Sequence, residues 1–187
     1  MLAAWKKKWW HPKRRVHSKD ELRYSIASDV IEFTERVLKE YAPHEGIVYW
    51  AGIVDNNEVN ISMGIAPKAK THEGQFIVDH LSNAEVILCL HEHSKSHIGQ
   101  VHSHPGWWVD HSGLDDTQAA FKKEGLLSLV VPSYGKDGML PLISCGVHRY
   151  KKRTFVRLAN RYVTDHFHIV PSDSSILIDL RYGNKKS

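Results

Sequence analysis

At 187 residues the chain is long enough for one domain with a core of its own and too short for two ordinary ones joined by a linker. With 42% hydrophobic and 25% charged residues it has the composition of a soluble globular protein, and no apolar run reaches the roughly 18 residues of a spanning helix, so no membrane-spanning helix is expected. The net charge of +4 does not make it a nucleic-acid binder: residues 1–20 hold seven Lys/Arg against Asp20 alone, and the remaining 18 basic and 20 acidic residues leave a nearly neutral body.

Residues 1–18 mix Lys and Arg with Trp5, Trp9 and Trp10 without a clean period, and read as a basic arm ahead of a domain over 19–187. Ile26, Val30, Phe33, Val37 and Tyr41 recur at helical spacing before Pro43, which predicts an amphipathic helix over roughly 20–41. The apolar run 46–54, the break at Asp55-Asn56-Asn57 and the alternating Val59, Ile61, Met63 and Ile65 predict a β-hairpin. Ser82-Asn83-Ala84-Glu85 has capping-box spacing and predicts a helix running to about Lys95. A strand over Gly99–His102, a loop, and a helix from about Ser112 to Glu124 closed by Gly125 follow. Leu126–Val131 and Leu140–Val147 flank a turn over 134–138, Arg153–Leu158 and Ile176–Leu180 add two strands, and 160–170 fits either helix or strand. The expected fold is a single α/β (α+β) domain, a curved, mostly antiparallel sheet flanked by helices. Cys89 and Cys145 lie in apolar runs, as core cysteines do, and no secretory segment is seen, so the expected location is the cytoplasm with no membrane partner.

The chemistry is concentrated after the central strand. His102 and His104 are two apart at a strand end, where a period of 2 sends both rings to one face. Asp115 lies in the first turn of the next helix, so strand, loop and helix can converge three ligands on one ion and leave a fourth position for water. Nitrogen and oxygen donors without thiolate favour zinc, one ion, and spacing alone leaves manganese, cobalt and iron open. Water activated there needs a carboxylate base, and Glu45, at the head of the apolar strand, suits it better than Glu58 or Glu73. Ser112, at the helix start, is placed to donate to an oxyanion. Ser112 and Asp115 also satisfy a capping box, and both roles can hold together. Asp116 is the rival third ligand, but its helical position points about 100° away. His91, Glu92, His93 and His97 imitate a zinc helix only superficially, since His91 and His93 face apart. Trp107 and Trp108 follow the ligands and are candidates for a substrate-binding wall or for packing the loop.

His-x-His-Pro, six residues, Ser, two residues and Asp, with a Glu-Gly at the head of an upstream strand, resembles the signature of the JAMM/MPN+ (JAB1/MPN/Mov34) zinc metallopeptidases over about residues 20–150. The resemblance implies zinc ligands at His102, His104 and Asp115, a general base at Glu45, an oxyanion-assisting serine at Ser112, and a cytidine-deaminase-like sheet flanked by helices. It further implies cleavage after the C-terminal tail of a ubiquitin-like protein or its conjugate. His111 stands where many bacterial members have proline. The tract around residues 99–112 also resembles the peptidases of bacterial ubiquitin-like conjugation operons of antiviral defence. Processing of a sulfur-carrier protein is the neighbouring alternative, and a RadC-like, DNA-associated metal protein a more distant one. A non-catalytic scaffold is disfavoured because every expected ligand position is filled.

Overall fold

Strand β2 (Ile47–Asp55) turns through Asn56 and Asn57 into β3 (Glu58–Ala66), with Asn56 taking the left-handed conformation (φ 50°) that a short polar side chain tolerates. This hairpin is the middle of a nine-stranded sheet in the computed structural model, which describes residues 22–72 and 74–182. The basic arm and Glu73 lie outside the described residues. The other strands of the sheet are β1 (Arg23–Ala27), β6 (Ser96–Ser103), β7 (Leu127–Val131), β8 (Gly146–Lys151), β9 (Thr154–Arg157), β10 (Phe167–Val170) and β11 (Ile176–Asp179). Their order is β10-β1-β3-β2-β6-β7-β8-β9, with β11 also pairing β3. The long central pairs β2–β3 and β2–β6, and the β7–β8–β9 meander, are antiparallel; β6–β7 and the pairs made by β1, β10 and β11 are parallel. The sheet curls, with irregularities in β2 at Trp50–Gly52 that bend such ribbons. Gly52 is needed there, since a Cβ would sit 1.7 Å from the Asn60 carbonyl oxygen.

Helix α1 (Ser28–Tyr41) buries Val30, Phe33, Val37 and Leu38, the stripe its spacing predicts, against Val48, Trp50, Val101 and Leu129. Thr34 ties helix to sheet, accepting from the Trp50 indole at 2.9 Å and donating to Val30 O at 2.7 Å. Helix α4 (Asn160–His166) completes this face with Tyr162 and Val163. Helix α2 (His80–Glu92) covers the other face, where Val86 and Leu90 meet Ile47, Tyr49, Met63 and Ile65. None of the described helices is long and apolar enough to cross a membrane.

Several expected boundaries move. Residues 23–27 form a strand rather than the start of α1, because Tyr24 and Ile26 alternate inward and Ile26 satisfies both periods. Helix α2 is capped by Asp79, whose carboxylate accepts from Ser82 N at 2.9 Å; Ser82 itself is inside the first turn. Helix α3 (Gly113–Gln118) is half the expected length: the chain leaves it at Ala119, and Phe121 packs edge-on against Tyr49 and His97. Leu142–Ser144 is a 3₁₀ turn before β8, and the ambiguous 160–170 is a helix followed by a strand. A small hairpin of β4 (Lys70–His72) and β5 (Gln75–Ile77), absent from the expectation, lies beside the head of β2, where Glu45 N donates to His72 O at 3.4 Å.

Candidate metal centre

The sheet register brings the two halves of the motif together. Ile47 on β2 pairs with His102 on β6, and the antiparallel ladder continues one step through mutual bonds of Gly46 and Ser103: Gly46 N to Ser103 Oγ at 3.0 Å, and Ser103 N to Gly46 O at 3.1 Å. One residue further, the same register sets Glu45 opposite His104. His104 extends the ladder toward β7, its N–H donating to Val131 O at 2.9 Å.

Asp115 arrives from α3. Ser112 is the N-cap: its hydroxyl oxygen accepts from Asp115 N at 3.1 Å, and Asp115 Oδ2 accepts from Ser112 N at 2.6 Å. This capping box fixes the Asp115 rotamer, so that Oδ1 lies 3.5 Å from His102 Nε2 and Oδ2 lies 3.4 Å from His104 Nε2. The three donor atoms lie within 4.8 Å of one another, and all three residues are buried.

The donor set fits a divalent cation. His102 is fully buried and neither ring nitrogen has a hydrogen-bond partner among the described residues. A buried polar group left so costs roughly 1–3 kcal/mol, which a cation on Nε2 would offset. His104 Nδ1 meets Trp108 O at 3.0 Å; a carbonyl only accepts, so Nδ1 carries the proton and the Nε2 lone pair is left for a metal. Burial works to raise the Asp115 carboxyl, but the His102 and His104 imidazoles overcome it and hold it well below the carboxylate range. Burial drives His102 far below its ordinary value, against the pull of Asp115. Burial also disfavours the His104 cation, yet the Asp115 carboxylate leaves it raised on balance, so a metal on Nε2 would displace the proton that this nitrogen shares with Asp115. Asp115 therefore stays ionised and His102 neutral, the ligand states a metal requires.

Glu45, 4% exposed, shares a cavity of about 210 Å³ with Gly74, His104, Pro105, Gly106, Trp108, Ser112 and Asp115. Burial pushes its carboxyl up to about 7; His104 draws it down and Asp115 pushes it further up. All five motif residues are thus brought together. Glu58 is remote from them, in the outer turn of the hairpin beside Arg23 at 3.9 Å. The two tryptophans separate: Trp108 stacks on His104 at 5.3 Å between centroids and lines the cavity, whereas Trp107 is 85% exposed. His91 is exposed in the last turn of α2 and His93 is its half-buried C-cap, and neither joins the His102, His104 and Asp115 group.

Sequence reasoning passed over a second layer of polar groups. Gln100, Ser128 and His148 are paired across β6, β7 and β8, all buried and facing the same side as His102. The ligand loop lies on them. Asp110 binds Arg157 at 2.6 Å, His111 bridges Asp116 and Ser128, and the Val109 carbonyl comes so close to Gly146 that a Cβ there would stand 1.7 Å from it. Polar residues at inward positions of apolar strands were the available signal.

No protein-family model matches the chain. A probable metalloprotease, y4jG, of Sinorhizobium fredii is 30% identical over 98 residues, which cover 50% of this chain; the chain spans only 60% of the length of that relative. A solution structure of protein DSY2949 from Desulfitobacterium hafniense superposes with a TM-score of 0.59 at 15% identity, over 81% of this chain and 94% of that one. The structural likeness carries the fold alone, and the sequence likeness is to a protein named for metal-dependent proteolysis.

Proposed function

We propose that this chain is a JAMM-type zinc peptidase that cleaves after the C-terminal tail of a ubiquitin-like protein, releasing it from a conjugate or trimming its precursor. The observation that carries the reading is that Glu45, His104 and Asp115 line one cavity, while His102 stands behind it as the third member of a His-His-Asp group that could hold a metal ion. The metalloprotease name of the Sinorhizobium fredii relative supports the coarser half of it. A divalent cation on the three ligands would polarise a carbonyl and acidify water.

The chain's own groups supply the rest. Glu45, buried and held near neutrality, accepts the proton of the attacking water and returns it to the leaving amine. The Ser112 oxygen is occupied as an acceptor by Asp115 N, so its own O–H is free to donate to the oxyanion that develops in the cavity. Trp108, fixed by its stack on His104, walls the site against water.

The test is hydrolysis of a ubiquitin-like protein bearing a fluorogenic amide at its C-terminus, with metal analysis in parallel. Zinc-loaded protein should release the fluorophore. Chelation should stop it and zinc restore it, and His104→Ala and Asp115→Ala should lose both zinc and turnover. Full zinc content in both variants would refute the ligand assignment. A zinc-loaded protein inert toward ubiquitin-like substrates but active on other peptides would remove the substrate class and leave the peptidase.

A further inference from the structure

Two adjacent carboxylates, Asp115 and Asp116, stand in the first turn of α3, about 100° apart around its axis. The capping box sets the Asp115 rotamer, but the rotation of this six-residue helix against the sheet also decides which carboxylate faces His102 and His104. Asp116 Oδ1 lies 3.0 Å from His111 Nδ1, and His111 Nε2 lies 2.8 Å from Ser128 Oγ on β7. Ser128 Oγ in turn accepts from Gln100 Nε2 at 3.2 Å.

The donors run one way. A carboxylate accepts, so Nδ1 carries the ring proton; Nε2 then accepts the Ser128 hydroxyl, whose oxygen receives the Gln100 amide. His111 is 5% exposed, packed against His148 at 4.3 Å and Phe155 at 4.7 Å between centroids, and both its nitrogens are bonded. It is the buried peg of the ligand loop, and the preceding residue, Asp110, is clamped to β9 through Arg157.

We propose that His111 is a positioning residue which sets the rotation of α3: by holding Asp116 toward β7, it leaves Asp115 as the carboxylate that faces the two histidines. The inference rests on the metal reading of His102, His104 and Asp115. Its observable is the affinity and geometry of the metal site, so it can be measured without a substrate.

The experiment is a Co²⁺ titration of the full chain and of its His111→Ala, Asp116→Ala, His111→Asn and double-alanine variants, with folding checked by circular dichroism. Outer partners of metal ligands are worth about 10–100-fold in affinity, and His111→Ala and Asp116→Ala should each lose that much and alter the cobalt d–d bands. The double variant should bind no more weakly than either single one, since both remove one interaction. His111→Asn, whose amide nitrogen takes the place of Nδ1, should recover most of the affinity. Asp116 is partly exposed, so Asp116→Ala keeps the test decisive if His111→Ala fails to fold. Asp116→Ala binding cobalt within about twofold of wild type would overturn the inference alone. Wild-type protein that binds no cobalt would overturn the metal reading and this inference with it.

Discussion

Replacing Glu45 by Gln should make the metal-free protein more stable and the loaded protein inactive. The carboxyl is 4% exposed and is raised from 4.5 to about 7 by burial, so the fold holds a proton that the unfolded chain has already released. Between pH 4.5 and 7 the unfolded state binds fewer protons, and wild-type stability falls as pH rises through that window. The displacement is worth about 3 kcal/mol above pH 7 at about 1.4 kcal/mol per pH unit. A glutamine amide in the same place gives back about 1 kcal/mol for imperfect hydrogen bonding. The net gain at pH 8 is about 2 kcal/mol, or about 4–8 °C in Tm for a chain of this size. Near pH 4 the gain should reverse to a loss of about 1 kcal/mol, because wild type is then neutral too and only the imperfect hydrogen bonding of the amide remains. Thermal melts of chelator-treated wild type and Glu45→Gln at pH 4, 6 and 8 read the difference directly. A bound cation favours the carboxylate and should shrink it. Turnover by the loaded variant should fall about 10²–10⁴-fold, the worth of a general base. A variant no more stable than wild type at pH 8, or one that still turns over, would refute the assignment of Glu45 as a base kept ready by burial.

Ser112→Ala should cost about 1 kcal/mol through the lost cap and lower kcat about 10²-fold through the lost oxyanion donor, with metal affinity weakened by the freed Asp115 rotamer; denaturant unfolding and steady-state kinetics separate the two. Trp107→Ala, at an 85% exposed position, should leave stability within about 0.5 kcal/mol of wild type and raise KM without lowering kcat; unchanged KM would take Trp107 out of substrate binding. Burial pushes His148 down to about 4, helped by His111 and opposed by Asp110, so its contribution is present above pH 6.5 and is lost as pH falls from 6.5 toward 4. Urea unfolding of wild type over that range should therefore be steeper than that of His148→Gln by about 1.4 kcal/mol per pH unit, and equal slopes would refute the buried neutral state.

The candidate site was more legible than the framework around it, for a physical reason. Metal ligation ties residue type to spacing: period 2 puts His102 and His104 on one face, and a helix start is where Ser112 and Asp115 meet, so the chemistry is written locally. Element ends depend on distant partners. Tyr24 and Ile26 become a strand only because β3 and β10 flank them, and α3 ends early because Phe121 finds Tyr49 and His97. The layer formed by Gln100, Ser128, His148 and His111 escaped notice for the same reason. Each is an unremarkable polar residue until register lines up three of them across β6, β7 and β8 and the loop folds back upon them.

Strand direction explains why the five residues meet at all. β6 and β7 run parallel and are joined through α3, so the carboxyl end of β6 opens onto the start of that helix, the kind of crevice in which α/β sheets place ligands. This accounts for His102, His104, Ser112 and Asp115 but supplies no base. β2 lies antiparallel on the other side of β6, and its beginning therefore lies at the end where β6 finishes. Glu45, two residues before β2, is delivered there by direction alone. Were β2 to run parallel to β6, its nine residues would carry Glu45 roughly 30 Å to the opposite end of the sheet. The mixed sheet is thus a requirement of the site: one parallel neighbour brings the carboxylate ligand to the histidines, and one antiparallel neighbour brings the base.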